Sequence, residues 1–182
     1  MNVPTDRPEK SSAARASVRK ASSRARAEAQ RSEGFSIRSA RGSDIPQIIA
    51  LDEQVTGLAK AEYWQSLFER YSRPAAPEHF FLVAAAPDGA ADKVLGFILG
   101  EIRAWEFGSA PCGWVIALSV RPDTRLRGLG RALLDEIAGR FTAAGVAKMR
   151  TMVARDNRLL LLFLRAGGLV SGPYFELEKE LG

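Results

Sequence analysis

The sequence has very few of the residues that build disulfides and metal centres. Its 182 residues include one cysteine, Cys112, and one histidine, His79. A disulfide framework needs paired cysteines, and a His/Cys metal cluster needs several such ligands. We therefore expect no intrachain disulfide and no metal, as is usual for a protein of the reducing cytoplasm.

Long apolar runs are lacking too. No uninterrupted apolar stretch reaches the roughly 18 residues of a membrane span, and the N-terminal residues contain no apolar core of a secretory signal. We expect a cytoplasmic protein that does not engage a membrane. Because 46% of the residues are hydrophobic, the chain can bury one sizeable core, which favours one domain.

The net positive charge is concentrated in the first 33 residues. This segment holds eight basic and four acidic residues, whereas the remainder holds 18 basic and 17 acidic residues. It is rich in Ala, Ser and Arg and has no aromatic residue, so we predict a disordered tail over 1–33 and a folded domain over 34–182. A basic arm can tether a protein to nucleic acid or be a solvated leader without a specific role, and the second interpretation is preferred.

The most informative stretch covers residues 114–134. Residues 114–120 form an apolar run rich in β-branched side chains, which predicts a buried strand ended by Pro122. After Gly130 the apolar residues take helical spacing, with the helix ending at Gly145. A loop containing Gly128 and Gly130 therefore joins a strand to a helix.

This loop has the properties of an anion site. The first amides of a helix have no intrahelical acceptor, and the helix dipole adds partial positive charge there. Gly128 and Gly130 carry no Cβ, so an anion can approach the backbone, and arginines flank the loop at positions Arg125, Arg127 and Arg131. A phosphate or pyrophosphate fits this pattern best.

Spacing separates the phosphate-binding motifs. A P-loop requires Gly-Lys-Ser/Thr where Gly130 is followed by Arg131, and the dinucleotide fingerprint requires a glycine where Leu133 stands. What remains is Arg-x-x-Gly-x-Gly, formed by Arg125, Gly128 and Gly130. With its flanking strand, proline and helix, this stretch resembles the signature loop of the GNAT superfamily of acyl-CoA-dependent N-acyltransferases.

The rest of the chain beyond the tail supports that resemblance. Periodicity predicts strands over 35–38, 80–85, 94–102, 114–120, 146–153 and 175–181, and helices beginning after Asp44, over 59–71, after Gly130 and over 158–166. The order β-α-α-β-β-β-α-β-α-β is that of a GNAT domain. The resemblance implies an α/β (α+β) fold, with a central mixed, mostly antiparallel, twisted sheet flanked by helices.

The resemblance also implies an activity and a co-substrate. A GNAT enzyme transfers an acetyl group from acetyl-CoA to a primary amine by direct attack in a ternary complex, without a metal. By that analogy the loop would hold the coenzyme pyrophosphate, the end of the central strand would hold the pantetheine arm through its main chain, and an asparagine would face the coenzyme. The implied coenzyme-binding residues are Leu118, Ser119, Val120, Arg125, Leu126, Arg127, Gly128, Leu129, Gly130, Arg131 and Asn157.

The usual catalytic residues of the superfamily have no direct counterparts at the matching positions of this sequence. The position before the central strand where many superfamily members place their base holds Trp114, and the position of the usual tyrosine acid holds Leu164. Glu101 ends an otherwise apolar strand, so burial could raise its pKa toward neutrality and make it a general base, or it could simply pair with a nearby arginine. Glu106, in the following loop, is the second candidate.

Several alternatives stay open at this stage. The missing base and acid are compatible with a non-catalytic acyl-CoA-binding regulatory module. The basic tail is compatible with a nucleic-acid-associated protein, and this second alternative is not favoured. Cys112 has no neighbouring histidine in sequence that would support an acyl-carrying role. The apolar run 159–164 predicts burial on most sides or a subunit contact, and dimers are common in this superfamily, so a homodimer is compatible with the sequence.

Overall fold

The computed structural model describes residues 34–73, 78–88, 91–124 and 128–181. The predicted tail, 1–33, lies outside the described residues. The elements are β1 (Ser36–Ser39), α1 (Ile45–Thr56), α2 (Ala61–Tyr71), β2 (His79–Asp88), β3 (Ala91–Arg103), β4 (Cys112–Val120), α3 (Leu129–Ala143), β5 (Met149–Thr151) and α4 (Arg158–Ala166).

These elements form one mixed sheet with helices on both faces. Within the described residues the sheet has five strands in the order β1-β2-β3-β4-β5. Neighbouring strands are antiparallel, except that β4 and β5 run parallel. The predicted fold class is confirmed.

Two apolar cores lie on the two faces of the sheet. Phe97 and Leu99 of β3 pack with α1 and α2, while Ile98 between them packs with α3. This alternation follows from the two-residue period of a strand. The helix α3 lies very close to the sheet: a Cβ placed on Gly113 would stand 2.3 Å from the ring of Phe141. Glycine at position 113 therefore lets α3 pack directly against β4.

Two of the predicted strands differ from the structure. β5 is only three residues long, although an apolar strand was expected over 146–153. Residues 175–181 form no strand, and the side chains of Phe175, Leu177 and Leu181 are 91%, 93% and 87% exposed. The prediction of a last strand was wrong because apolar alternation gives a strand its faces but not the neighbouring edge that supplies its hydrogen bonds.

Candidate active site

The strands β4 and β5 separate halfway along β4. They pair only at Gly113 with Met149, Trp114 with Arg150, and Val115 with Thr151. The last rung is reinforced by the Thr151 hydroxyl, which donates to the Val115 carbonyl at 2.9 Å. From Ile116 onward β4 therefore pairs with β3 on one side, and among the described residues no strand pairs with its other edge, which we call the open edge.

A bulge marks the point of separation. On the β3 side Gly100 pairs with Val115 and Leu99 pairs with Ala117, so Ile116 is left out of the register and is 40% exposed. The side of the strand to which the main-chain amide and carbonyl groups of alternate residues point changes across this bulge. The Gly113 amide donates toward β5, to Lys148, whereas the Arg121 amide donates toward β3. Main-chain groups that face the open edge are therefore found on a different set of residues after the bulge than before it.

The residues that face the open edge follow from strand alternation. Since the main chain of Arg121 faces β3, that of Ser119 faces β3 too, and those of Leu118 and Val120 face the open edge. The Ser119 hydroxyl is a buried group without a hydrogen-bond partner among the described residues. Of the three predicted strand residues, Leu118 and Val120 therefore present their main chains to the opening, while Ser119 does not.

The N-terminus of α3 lies beside this open edge. Gly128 is its N-cap with a φ of 72°, a conformation that favours glycine. The first described intrahelical bond runs from Ala132 to Gly128, which leaves the amides of Leu129, Gly130 and Arg131 without an intrahelical acceptor. A Cβ on Gly130 would stand 3.7 Å from Val120. The structure thus brings the predicted glycines to the end of β4, while Arg125, Leu126 and Arg127 lie outside the described residues.

Two predicted polar residues make other contacts than the sequence suggested. The guanidinium of Arg131 pairs with Asp135 at 2.9 Å and donates to the carbonyl of Ala166 at 2.9 Å, so its side chain joins α3 to the end of α4. Asn157 is the N-cap of α4, and its side-chain oxygen accepts from the Leu160 amide at 3.1 Å. Asp156-Asn157 before an apolar run predicts a helix cap, and the structure shows that Asn157 forms it. The role of Asn157 toward a coenzyme stays a prediction.

Glu101 is held in a cluster at the other end of β4. Tyr71 of α2 donates a hydrogen bond to Glu101, and Arg103 Nε donates to the same carboxylate at 2.6 Å. His79 Nε2 lies 3.6 Å from Glu101, and its ring stacks on Tyr71 at a centroid distance of 4.4 Å. Arg103 also reaches Glu106, at 3.7 Å. Both predicted base candidates therefore share one arginine.

The cluster fixes the charge of Glu101. Burial raises the pKa of this carboxyl, but the hydrogen bonds from Tyr71 and Arg103, with the charge of Arg103, outweigh burial and hold the pKa below its ordinary value. The expected shift toward neutrality is therefore wrong in direction. Burial and the hydrogen bond to Glu101 raise the pKa of Tyr71 well above its ordinary value, so Tyr71 stays a neutral donor.

Register connects this cluster to the open edge. Glu101 pairs with Trp114, which precedes the bulge residue Ile116 by two positions, a distance of roughly 7 Å along a strand. The indole Nε1 of Trp114 is buried without a hydrogen-bond partner among the described residues, and the Arg103 guanidinium stacks over its ring at 5.2 Å. Glu101 is thus a partly buried carboxylate near the bulge, across the β3–β4 pair.

Sequence reasoning missed two members of this cluster. The position of His79 just before a predicted strand indicates an ordinary surface residue, and the spacing of Tyr71 with Tyr63, Trp64 and Phe68 predicts the core-packing face of a helix. Tyr71 and Trp64 are indeed buried, at 5% and 2% exposure, but the Tyr71 hydroxyl reaches the predicted base. The sequence signal that could have found His79 is the pair of neighbouring strands predicted over 80–85 and 94–102. In the structure the hairpin that they form pairs His79 with Glu101.

The remaining candidates fit no catalytic role. Leu164, at the position of the usual tyrosine acid, is 6% exposed and packs in the core beneath α3. Cys112 is 2% exposed and begins β4, at the end opposite the opening. A groove of about 560 Å³ lies between α1 and α2, lined by residues such as Ile45, Ile49 and Phe68, none of which belongs to the opening or to the Glu101 cluster.

The open end of β4 and the N-terminus of α3 together form the site. The model of the Acetyltransferase (GNAT) family matches residues 46–167, which is most of the chain. The protein belongs to the GNAT acetyltransferase family.

Solved structures share the fold at low sequence identity. The aminoglycoside N-acetyltransferase AAC(6')-Iy in complex with CoA aligns with a TM-score of 0.69 and 18% identity over 80% of this chain and 94% of that one. AAC(6')-Ih from Acinetobacter baumannii gives 0.67 and 16%, over 82% and 100%. Glucosamine-6-phosphate N-acetyltransferase from Arabidopsis thaliana gives 0.62 and 19%, over 81% and 99%. No curated protein matches the sequence.

Two kinds of feature are absent from the part of the chain that the structure describes. None of the helices in the described ranges combines the length and apolar character needed to cross a bilayer. Among the same residues no group of three or more His, Cys, Asp or Glu side chains is arranged to hold a metal ion.

Proposed function

We propose that the protein transfers an acetyl group from acetyl-CoA to a primary amine, by direct attack in a ternary complex. The observation that carries this proposal is the meeting of two sets of unpaired main-chain groups, the amides that begin α3 and the open edge of β4 after Ile116. A pyrophosphate suits the first set, and an extended amide-bearing arm suits the second.

The chain supplies the binding groups for the donor. The amides of Leu129, Gly130 and Arg131 would hold the pyrophosphate together with the loop that precedes them, predicted to include Arg125. Main-chain groups of Leu118 and Val120 would hold the pantetheine arm in the manner of a neighbouring strand. An amide near the bulge would stabilise negative charge on the carbonyl oxygen as the amine attacks.

The reaction needs a proton acceptor for the attacking amine. Acetyl-CoA supplies the thioester: the amine nitrogen bonds to its carbonyl carbon, the C–S bond breaks, and the thiolate takes a proton from solvent. Glu101 is ionised and lies near the bulge, so we assign it to receive the proton that the attacking nitrogen, an ammonium once it has bonded to the carbonyl carbon, must lose, directly or through water. Glu106 is less suited, because its side chain is 42% exposed and contacts Arg103 only at 3.7 Å.

The acceptor is a primary amine whose class the site leaves open. A protein lysine, a protein N-terminus, an amino sugar or a polyamine would each be served by the same donor site. Among the structures of similar fold, AAC(6')-Iy and AAC(6')-Ih are named for aminoglycosides and a third acetyltransferase for glucosamine 6-phosphate. Both names describe amines on sugars, so amino sugars should be the first members of an acceptor panel.

The first test is calorimetric titration of acetyl-CoA into the wild-type protein and the Gly130→Val variant. A single Cβ at position 130 makes ordinary contacts, 3.4 Å from Phe163, so the fold should survive. Valine adds two methyl groups beyond this Cβ, and we expect them to hinder the close approach of a pyrophosphate to the backbone. We expect micromolar binding to the wild type and none to the folded variant.

The matched control is Gly172→Val, a glycine outside the site with nothing within 4 Å of an added Cβ. It should bind acetyl-CoA as tightly as the wild type does. Binding to Gly130→Val as tight as wild type would disprove the phosphate-loop assignment, and failure of the wild type to bind would disprove the proposed reaction.

A further inference from the structure

One row of side chains crosses four strands of the sheet beside the proposed reaction centre. His79 pairs with Glu101 between β2 and β3, and Glu101 pairs with Trp114 between β3 and β4. Trp114 in turn pairs with Arg150 of β5. Side chains at paired positions of neighbouring strands lie on the same face of a sheet. The row therefore places Arg150 on the same face as Glu101, the residue assigned to receive the proton.

Arg150 differs from Arg103, the other arginine of this face, in its counter-charge. Arg103 pairs with the carboxylates of Glu101 and Glu106. Among the ranges that the structure describes, no carboxylate forms an ion pair with Arg150. The surrounding chain adds positive charge, since residues 148–158 hold four basic residues and one acid. Arg150 is thus a partly buried cation whose charge no described side chain neutralises.

Two uncharged groups hold the Arg150 guanidinium in place. Its Nη1 donates to the Ser109 hydroxyl at 3.0 Å, and its carbon lies 4.8 Å from the centroid of the Tyr174 ring. Ser109 belongs to the connection between β3 and β4, where its hydroxyl donates to the Glu106 carbonyl at 2.9 Å. Tyr174 comes from the segment after α4. Two separate segments therefore orient this cation without neutralising it, which favours a preorganised site for an anion.

The spacing of the strands gives the size of a ligand that reaches both groups. Arg150 lies two strands away from Glu101, which is roughly 10 Å between their main chains. Both side chains extend from the same face of the sheet, so their charged ends can approach one molecule from two sides. A small molecule can therefore place an amine near Glu101 and an anionic group at Arg150.

We propose that the acceptor is a primary amine that also carries an anionic group, a carboxylate or a phosphate, and that Arg150 binds this group. The proposal rests on the reaction proposed above, because it names the acceptor class of that site. The guanidinium presents N–H donors in a plane that matches the oxygens of either anion. A polyamine would place positive charge against Arg150 and would be a poorer acceptor.

The test compares acceptors that differ in one anionic group. Steady-state acetylation is measured for glucosamine against glucosamine 6-phosphate and for hexylamine against 6-aminohexanoate, which separates phosphate from carboxylate as the group recognised. For the wild type we expect kcat/KM to be at least about 10-fold higher for one of the anionic acceptors than for its counterpart without the anion. A lower KM should account for most of this preference, because the anion does not take part in the chemical step.

Variants of Arg150 test whether its charge is the cause. Arg150→Gln should reduce the preference at least about 10-fold, since the amide keeps hydrogen-bond donors but loses the charge. Arg150→Lys should restore part of it, which a purely structural link between Ser109 and Tyr174 would not explain. The matched control is Arg140→Gln, which removes an exposed arginine of α3 that pairs with Glu136. The control should keep the wild-type preference.

Binding measured without turnover separates this proposal from the reaction. Each of the four acceptors is titrated by calorimetry into the protein in the presence of coenzyme A. Tighter binding of an anionic acceptor that is lost in Arg150→Gln supports the anion site even where no amine is acetylated, and the proposed reaction alone then fails. Acetylation without preference for either anion, a preference that Arg150→Gln leaves unchanged, or no binding of either anionic acceptor would overturn the anion site.

Discussion

The two halves of β4 differ in what lies beside them. The first half, from Cys112 to Val115, has β3 on one side and β5 on the other, and α3 packs on it so tightly that Gly113 has no room for a side chain. The second half, from Ile116 to Val120, has β3 alone, and a helix N-terminus stands beside its open edge. One strand thus serves as core in its first half and as a binding edge in its second.

The bulge at Ile116 explains how this is achieved. A bulge adds a residue to one strand and so changes which residues face each side of it. Before the bulge the main chains of Gly113 and Val115 face β5, and after it those of Leu118 and Val120 face the open edge. The partly buried cluster of Glu101, Tyr71 and Arg103 adjoins the first half of β4 near this point. The first half of β4, which we call the closed half, therefore adjoins the charge of Glu101. The second half, the open half, presents main-chain groups to a ligand.

The largest effect should come from Glu101→Gln. The amide keeps the size of the side chain but removes its charge, so kcat/KM should fall by about 10²–10⁴-fold, as is typical for loss of a positioned proton acceptor. Steady-state kinetics with acetyl-CoA and a responsive amine measure this. Glu106→Gln is the comparison, since Glu106 contacts the same Arg103 from a more exposed position. An equal loss in both variants would shift the assignment to Arg103.

The pH dependence of kcat/KM gives a second test of the role assigned to Glu101. Because the pKa of Glu101 lies below its ordinary value of about 4.3, Glu101 stays ionised as the pH falls toward that value. The rise of kcat/KM with pH near neutrality and above should therefore follow deprotonation of the acceptor amine, with the same midpoint in the wild type and in Glu101→Gln. A midpoint between about pH 5.5 and 7 that disappears in the variant would contradict the lowered pKa.

The next effect concerns the stability of the closed half. In Gly113→Ala the new methyl would overlap the Phe141 ring, so α3 must move, which costs about 1–3 kcal/mol of unfolding free energy. Urea denaturation followed by circular dichroism measures the change. Gly172→Ala, with open space around it, is the control. Equal stability of the two variants would show that α3 is packed less closely than described.

The smallest effects compare two hydroxyl groups on either side of the separation point. Thr151→Val removes the bond to the Val115 carbonyl on the last rung and should cost about 1 kcal/mol. Ser119→Ala removes a buried hydroxyl that makes no hydrogen bond among the described residues, so stability should stay the same or rise slightly. Denaturant titration of both variants decides this. A larger cost for Ser119→Ala would reveal a partner for its hydroxyl.

Much of the site could be predicted from local sequence. The strand, the two glycines and the helix start follow from short-range rules, and all lie together in the structure. The sign of the Glu101 pKa shift could not be predicted in this way. Tyr71 lies 30 residues before Glu101, and only the packing of α2 on the sheet brings its hydroxyl to the carboxylate. The prediction of a last strand over 175–181 was wrong for a similar reason, since an alternating pattern does not specify which sheet edge the segment joins.

The sequence by itself determined the order of the elements as far as α4, the apolar faces and the glycines that begin α3, because these depend on residues a few positions apart. Only the tertiary structure decided where β4 leaves β5, which main-chain groups face the opening and what surrounds Glu101. Those features depend on hydrogen bonds and charges between distant segments, and their positions are set when the sheet and helices pack together.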